Sequence, residues 1–294
     1  MIDYLIGVDG GGTGTRVRIA SRSPDGAVEL AQGASGPSGL GLGIARAWAS
    51  VQDAVAHAFR AAAIPLPPPD RMAIGLGLAG VHNRRWADEF TAADPGYAAL
   101  VLETDAFTTL VGAHGGAPGA IVAIGTGSVG EVLLPDGTRR EVGGWGFPAG
   151  DEASGGWIGL AAINHIEQVL DGRRAPSPFA DAVIDACGGD RAAIQVWLGQ
   201  ATQTTYATLA PLVLQHADDP AARAILTDAG SEAAAIARAL DPDGTLPLAL
   251  CGGLGAALRD WLPPALAARA RAPEGDSARG ALRMIELHLT AAAA

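Results

Sequence analysis

The chain has 294 residues, of which 49% are hydrophobic and 17% are charged. This length exceeds what one small hydrophobic core supports, so it predicts two globular domains. The formal net charge of −11 argues against nucleic acid or an anionic membrane surface as a partner. No apolar run reaches the roughly 20 residues that a transmembrane helix needs. We therefore expect neither a nucleic-acid-binding nor a membrane protein.

The two cysteines, Cys187 and Cys251, lie far apart and show no metal-ligand spacing. The first residues are predicted to form a strand, and they lack the basic and apolar regions of a secretory signal. Both features are typical of a protein in a reducing cytoplasm, which is the location that we expect.

The segment Asp9-Gly10-Gly11-Gly12-Thr13-Gly14-Thr15 separates an apolar strand from a strand with alternating polarity. Backbone amides of residues without a Cβ can converge on an anion, and the hydroxyls of Thr13 and Thr15 add donors. The carboxylate of Asp9 would repel a phosphate unless a cation lay between them. The segment therefore predicts a Mg²⁺–nucleotide site. The alternative is a glycine-rich hairpin with a solvated Asp9, because short motifs also match by chance.

The next segments alternate between strand and helix patterns. After a turn at 23–26 and a strand over 27–31, small residues form a loop from Ser35 to Gly43. Gly75, Gly77 and Gly80 match the spacing of a dinucleotide-binding loop, but they lie within a predicted strand, so we reject that function. The other elements predicted in this half are helices over 44–63 and 83–93, strands over 71–78 and 99–102, and a helix from Thr104 that ends near Gly115.

A second strand–bend–strand unit follows, with its bend at Gly125-Thr126-Gly127-Ser128. A Pro-Asp-Gly turn follows each copy, at 24–26 and at 135–137. An internal repeat is stronger evidence than either copy alone, because two glycine bends that face each other could grip a polyphosphate. For the second bend by itself, a type I′ hairpin turn is the alternative.

We place the domain boundary between the two copies, which gives domains over 1–114 and 115–294. In the second domain, the loop Gly143–Glu152 would expose Trp145 and ends in two carboxylates. Asp151 and Glu152 could instead complement the N-terminus of the helix that begins at Ser154. The other predicted elements are helices over 154–170, 179–187, 191–198, 221–240 and 278–289 and a strand over 246–251. The last helix could pack back on the first domain.

Assembled in order, these motifs resemble those of the sugar kinase/actin/heat-shock-chaperone superfamily, and more narrowly the amino-sugar kinases of the BadF/BadG/BcrA/BcrD-type ATPase family. Asp9–Thr13 is similar to the first phosphate loop of the family, Gly125–Ser128 to the second, and Cys251–Leu254 to the adenosine loop. The motifs that resemble those of the subfamily are Gly77–Gly80, Thr104–Ala106 and Gly144–Glu152. The resemblance covers nearly the whole chain. It implies an α/β fold of two duplicated ribonuclease H-like (actin-like ATPase) domains around a central nucleotide cleft.

The resemblance also implies a role for each motif. Asp105 matches the catalytic base, although an Asp after a strand can also be a helix N-cap. Asp9 would hold Mg²⁺. The residues that would bind ATP are Gly11, Gly12, Thr13, Gly125, Thr126, Gly127, Gly252 and Gly253. The residues that would contact the sugar are Ser38, Gly80, Asp105, Thr126, Trp145 and Asp151.

One position departs from the family pattern. The loop before the first long helix usually carries an Asn that helps to hold the sugar, and the matching residue here is Gly39, with Ser38 beside it. The loss of that carboxamide removes hydrogen bonds to the sugar, so the identity of the sugar stays open.

The activity that the resemblance implies is ATP-dependent phosphorylation of N-acetylglucosamine or glucosamine at the 6-hydroxyl, in a homodimer. A kinase of a different hexose is an alternative. Another is an ATPase that activates a radical reductase through an iron–sulfur cluster, but neither Cys187 nor Cys251 has a close cysteine partner in sequence. A third is a nucleotide-dependent binding module, which the sugar-type loop at 144–152 and the absence of a long substrate-binding domain disfavour.

Overall fold

The computed structural model describes residues 2–23 and 26–292. The predicted turn at Pro24 and Asp25 and the last two residues of the terminal alanine run therefore lie outside the described residues. The chain divides into two compact units, one formed by residues 1–118 together with 273–294 and the other by residues 119–272.

The strands and helices of the two units follow in chain order. The strands are β1 (Tyr4–Gly10), β2 (Thr15–Ser23), β3 (Gly26–Ser35), β4 (Met72–Leu78), β5 (Ala99–Glu103), β6 (Gly119–Ile124), β7 (Ser128–Leu133), β8 (Arg139–Gly143), β9 (Leu248–Cys251) and β10 (Ala270–Arg271). The helices are α1 (Ile44–Ala61), α2 (Arg84–Ala92), α3 (Asp105–His114), α4 (Gly155–Leu170), α5 (Pro178–Ala186), α6 (Arg191–Gln200), α7 (Gln203–Ala207), α8 (Ala210–Gln215), α9 (Pro220–Leu240), α10 (Gly255–Leu258), α11 (Pro264–Arg269) and α12 (Ser277–Ala291).

The described residues of each unit build one five-stranded mixed sheet, and the two sheets have the same topology. The strand order is β3-β2-β1-β4-β5 in the first unit and β8-β7-β6-β9-β10 in the second. In both, the first three strands in sequence pair antiparallel, and the last two add in parallel. The predicted duplication is therefore confirmed.

The parallel strands bring the predicted functional loops to one edge of each sheet. In the first unit, Gly10 pairs with Leu78 and Gly77 pairs with Glu103, so the carboxyl ends of β1, β4 and β5 are neighbours. In the second unit, Ala123 of β6 pairs with Cys251 of β9. Chain segments that leave parallel strands at their carboxyl ends emerge at the same sheet edge.

The last helix, α12, belongs to the first unit and packs against β1, β4 and α3. Glycines allow this close approach, because a Cβ at Gly7 would overlap the carbonyl oxygen of Ala278, and one at Gly75 would overlap that of Ala281. The hydroxyl groups of Ser277 in α12 and Thr108 in α3 also lie 2.8 Å apart. The final helix therefore supports both the sheet and the helix that begins with Asp105.

The second unit has its own core, in which α4 packs against α9 and α9 packs against β6, β7 and β8; its buried apolar residues include Ile158, Ile163, Leu226 and Leu240. Helices α5 and α8 complete the same cluster through Phe179 and other side chains. Among the residues that the structure describes, no helix combines the length and the apolar character that a membrane span requires.

Candidate active site

The first glycine loop, residues 11–14, connects β1 to β2, and a hydrogen bond of 3.0 Å from the amide of Gly11 to the carbonyl of Gly14 closes it. The positions that a Cβ would take at Gly11 and Gly12 have no heavy atom of the described chain within 4 Å. Thr13 is exposed. The amide of Gly11 is used within the loop, but the open space beside Gly11 and Gly12 and the exposed hydroxyl of Thr13 leave room for a phosphate to approach the backbone.

Thr15 does not share this exposure, and the prediction that its hydroxyl serves a phosphate is wrong. Its side chain is buried and donates to the carbonyl of Gly36 at 2.6 Å, and it lies 2.7 Å from the hydroxyl of Ser38. Ser38 is itself buried. These bonds tie the glycine loop to the segment before α1.

Gly39 continues this segment in an extended conformation, with φ −58° and ψ 133°. The amides of Ser38 and Gly39 both donate to the carbonyl of Gly11, at 3.1 and 3.0 Å. A Cβ at Gly39 would lie 3.4–3.6 Å from backbone atoms of Gly11 and Gly12, which is ordinary van der Waals contact. A side chain at position 39 would therefore start directly beside the first glycine loop.

Asp9 lies at the end of β1 and pairs with Arg16, the residue opposite it in β2. The guanidinium donates to the same oxygen, Oδ2, through Nε at 3.0 Å and Nη2 at 2.5 Å. Arg16 is a cation that sequence reasoning did not place beside Asp9. Within the described ranges, no group of three or more His, Cys, Asp and Glu side chains is arranged to hold a metal ion. A single carboxylate still fits Mg²⁺, since that ion keeps several waters and takes its other ligands from phosphates.

Asp105 is the first residue of α3, immediately after β5. The suggestion that it caps this helix is wrong, because Thr104 is the N-cap and its hydroxyl accepts from the amide of Phe107 at 3.1 Å. Burial and the nearby carboxylate of Asp9 raise the pKa of Asp105, against an opposing hydrogen bond from the amide of Ala106. The carboxylate of Asp105 therefore does not serve as the helix cap, and its pKa is shifted in the direction that suits a general base.

Gly80 follows β4 with φ +93°, a conformation that glycine adopts readily. A Cβ there would lie 3.4 Å from Cβ of Leu40 and 3.5 Å from the ring of Trp86. The amide of Leu40 also donates to the carbonyl of Ala79 at 2.9 Å. The turn after β4 therefore contacts the segment that carries Ser38 and Gly39.

The second glycine bend, residues 125–127, connects β6 to β7 in the second unit. A type I′ turn needs positive φ at two consecutive central residues, and none of residues 125–127 has it. That alternative is therefore wrong. The carbonyls of Gly125 and Thr126 accept from the amides of Gly155 and Gly156 at the start of α4, at 2.8 and 3.1 Å. This anchoring turns both carbonyl oxygens toward the N-terminus of α4.

Asp151 lies between the exposed Trp145 loop and α4. The N-cap of α4 is Ser154, whose hydroxyl accepts from the amide of Trp157 at 3.1 Å. Asp151 is 6% exposed, has φ +61° and accepts from Nε2 of Gln203 at 2.5 Å. Gln203 was not predicted as a site residue. It is far from Asp151 in sequence, and its helix is a single short turn that leaves no periodic pattern.

Trp145 is 86% exposed, as the sequence predicted, so its indole offers an apolar surface to solvent. The third predicted loop follows β9. Gly252 has φ +79°, and a Cβ there would overlap the carbonyl oxygen of Ile124 at the end of β6. The amide of Leu254 donates to the same carbonyl at 3.0 Å. Within the described chain, nothing lies within 4 Å of the Cβ position at Gly253.

Each unit thus gathers its own share of the predicted residues. The first unit brings Asp9, the loop 11–13, Gly80 and Asp105 to the carboxyl edge of its sheet. The second brings the bend 125–127, Asp151 and the loop 252–253 together. The duplicated sheets, with a glycine loop in each, define the ribonuclease H-like fold of the actin-like ATPases and sugar kinases.

Comparison with known proteins agrees with this class. Residues 6–257 match the BadF/BadG/BcrA/BcrD ATPase family. The chain is 32% identical over 284 residues to the glucosamine kinase GspK of Vibrio cholerae, and the alignment covers 96% of this chain and 95% of that protein. The chain belongs to the BadF/BadG/BcrA/BcrD ATPase family, as the motifs predicted.

Two solved structures extend the comparison. The proposed N-acetylglucosamine kinase of Chromobacterium violaceum superimposes with a TM-score of 0.93 at 56% identity, over 97% of this chain and 99% of that one. Component A of the (R)-2-hydroxyglutaryl-CoA dehydratase of Acidaminococcus fermentans matches with a TM-score of 0.53 at 15% identity, over the whole of both chains. The second likeness shows the shared fold alone. The predicted fold class is confirmed.

Proposed function

We propose that this chain is an ATP-dependent kinase that phosphorylates the 6-hydroxyl of N-acetylglucosamine or glucosamine, with Asp105 as the general base. The observation that carries the proposal is the environment of Asp105, a half-buried carboxylate at the same sheet edge as the first glycine loop. Thr104 caps the helix in its place, and the pKa of Asp105 is raised. The named activity of the Vibrio cholerae relative supports an amino sugar as the acceptor.

Phosphoryl transfer to an alcohol depends on positioning and on a base for the hydroxyl proton. In the proposed reaction, the 6-hydroxyl oxygen attacks the terminal phosphorus of ATP, and the bond to the bridging oxygen breaks to release ADP. The hydroxyl proton moves to the carboxylate of Asp105 and then to solvent. A base whose pKa is raised toward the working pH takes that proton more readily. The burial of Asp105 raises its pKa, and so does the nearby carboxylate of Asp9.

The two glycine loops would hold the nucleotide. Open space at Gly11, Gly12 and Gly253 supports close backbone approach to a ligand. We assign phosphate contacts to Gly11, Gly12, Thr13, Gly125, Thr126 and Gly127, and adenosine contacts to Gly252 and Gly253. Asp9 would hold Mg²⁺ through water, and the bound ion would neutralise phosphate charge.

We assign the acceptor sugar to the remaining predicted residues. Asp151 would accept hydrogen bonds from ring hydroxyls, and the exposed indole of Trp145 would cover an apolar sugar face. Gly80 and Thr126 complete the proposed set with their backbone and hydroxyl groups. The buried hydroxyl of Ser38 supports a positioning role for that residue, since it bonds to Thr15.

The test is an assay of ADP release across a panel of hexoses and amino sugars, with the position of the phosphate in the product assigned by NMR. We expect turnover with glucosamine or N-acetylglucosamine and a 6-phosphate product. Turnover only with another hexose would overturn the amino-sugar assignment. ATP hydrolysis that no sugar stimulates would favour an activator ATPase, and nucleotide binding without turnover would favour a binding module.

Two further parts of the proposal concern the protein as a whole. We propose a homodimer in the cytoplasm. Sedimentation equilibrium at micromolar concentration should give twice the mass of the 29.5 kDa chain. A mass equal to that of one chain would refute the dimer.

A further inference from the structure

Gln203, the first residue of α7, connects two groups that the proposed function uses. Its Nε2 donates to the backbone carbonyl of Thr126 at 3.1 Å and to Oδ2 of Asp151 at 2.5 Å. Asp151 is 52 residues away in sequence. Thr202 caps the short helix in a reciprocal capping box with Thr205, which fixes where the side chain of Gln203 begins. One carboxamide thus bridges the second glycine bend and the acidic residue assigned to the sugar.

A carboxamide suits both acceptors, and for the carbonyl of Thr126 it adds a second donor to the amide of Gly156. A carboxamide NH₂ has two hydrogens, one for the carbonyl and one for the carboxylate, and it carries no charge of its own. Asp151 is 6% exposed and has φ +61°, which is uncommon for a residue other than glycine. A buried carboxylate in such a conformation needs a partner to keep its orientation. Gln203 is that partner for Oδ2.

The glycine bend also abuts these groups directly. A Cβ at Gly127 would lie 2.8 Å from Oδ2 of Asp151 and 3.2 Å from Nε2 of Gln203. A Cβ at Gly156 would lie 2.9 Å from Cγ of Gln203. The absence of these side chains lets the carboxamide, the carboxylate and the bend pack as one cluster. A shift of Asp151 would therefore displace the bend.

We propose that Gln203 is a positioning residue that couples the two substrates: it orients Asp151 for the acceptor sugar while it holds Thr126 in the phosphate bend, so that sugar and nucleotide each increase the affinity for the other. This inference rests on the proposed function. Coupling of this kind is reciprocal, because a change in one affinity caused by the second ligand must be matched in the other direction.

The test measures sugar affinity by calorimetry with and without saturating ADP, in the wild type and in two variants. Gln203→Met keeps the length of the side chain and removes both donors, and Gln203→Glu places an acceptor beside Asp151 and Thr126. Gln200→Glu, an exposed position at the end of α6, is the matched control for the charge. In the wild type we expect ADP to tighten sugar binding.

In both Gln203 variants we expect sugar affinity to fall by roughly 10-fold, the scale for a hydrogen bond to a charged group, and the ratio of affinities with and without ADP to approach one. The Gln200→Glu protein should match the wild type. A merely structural role would lower stability without changing this ratio, so an unchanged ratio in folded variants overturns the inference. A wild type that binds no amino sugar would instead overturn the proposed function.

If the variants fold poorly, amide hydrogen exchange in the wild type tests the same coupling between sugar binding and the second glycine bend. Sugar alone, without nucleotide, should slow exchange of the amides at 126–128. Exchange that sugar binding leaves unchanged there would overturn the coupling.

Discussion

Because Gly39 has no side chain where the family pattern has an Asn, adding one should increase the affinity for the sugar. In Gly39→Asn, the new carboxamide would restore the partner that the family pattern places beside the sugar. The observed φ of −58° and ψ of 133° suit any residue, and the Cβ would meet Gly11 and Gly12 at 3.4–3.6 Å without overlap. The substitution should therefore cost little in strain. A net hydrogen bond worth about 0.5–1.5 kcal/mol lowers KM by about 2- to 13-fold.

Steady-state kinetics at saturating ATP measure this change for glucosamine and for N-acetylglucosamine. The sugar that gains more is the one whose hydroxyls or acetamido group reach the new side chain. Gly36→Asn is the matched control, because it makes the same substitution in the same segment, where a Cβ would lie only near the hydroxyl of Ser50, at 3.8 Å. An unchanged or higher KM for both sugars, with folding intact and the control normal, would mean that the sugar does not bind beside Gly39.

The remaining predictions concern the base and the phosphate loops. Asp105→Asn keeps the shape and removes the base, so kcat should fall by on the order of 10² while calorimetry still detects nucleotide binding; near-normal turnover would refute the assignment. Because the base must be ionised, kcat/KM should fall as the pH decreases through the raised pKa of Asp105. Asp9→Asn removes a carboxylate that raises this pKa, so the acid limb should move to lower pH, and an unmoved limb would contradict the coupling. Thr13→Val and Thr126→Val should each weaken ATP binding by removing a hydroxyl donor, whereas unchanged affinity in both would favour ordinary hairpins.

Much of the fold could be predicted because its signals are local. The glycine bends, the buried strands and the long amphipathic helices each carry their pattern within a few residues, and the internal repeat linked them into a duplicated fold. Short elements such as β8, β10, α7 and α8 were not predicted. Two to six residues are too few to establish a period, and their conformation depends on neighbours in the sheet or helix cluster.

The candidate site residues that belong to motifs could be proposed from the sequence, whereas the residues that tertiary packing brings beside them could not. Thr104 and Asp105 are both good N-cap residues, so the sequence could not tell which one caps α3. Arg16 could have been found, since a short bend after Asp9 places the two residues opposite each other in the hairpin. Gln203 could not, because its contacts come from the way α7 packs near the second glycine bend.

The placement of Asp105 depends on a close contact between α3 and α12 inside the first unit. A Cβ at Gly280 would overlap the carbonyl oxygen of Thr108 and lie 2.5 Å from the amide nitrogen of Gly112, both backbone atoms of α3. Neither helix can accommodate a methyl group there without a backbone shift. Overpacking of this kind typically costs about 1–3 kcal/mol.

Gly280→Ala should therefore lower the free energy of unfolding, although alanine favours a helix by about 0.8–1.0 kcal/mol over glycine. Gly199→Ala in α6 is the matched control, because a Cβ there meets no heavy atom of the described chain within 4 Å, so it should be neutral or stabilising. Urea denaturation compares the two variants. Since α3 begins with Asp105, we also expect Gly280→Ala to lower kcat while Gly199→Ala does not. If both variants were equally stable and active, the contact between α3 and α12 would not hold the base in position.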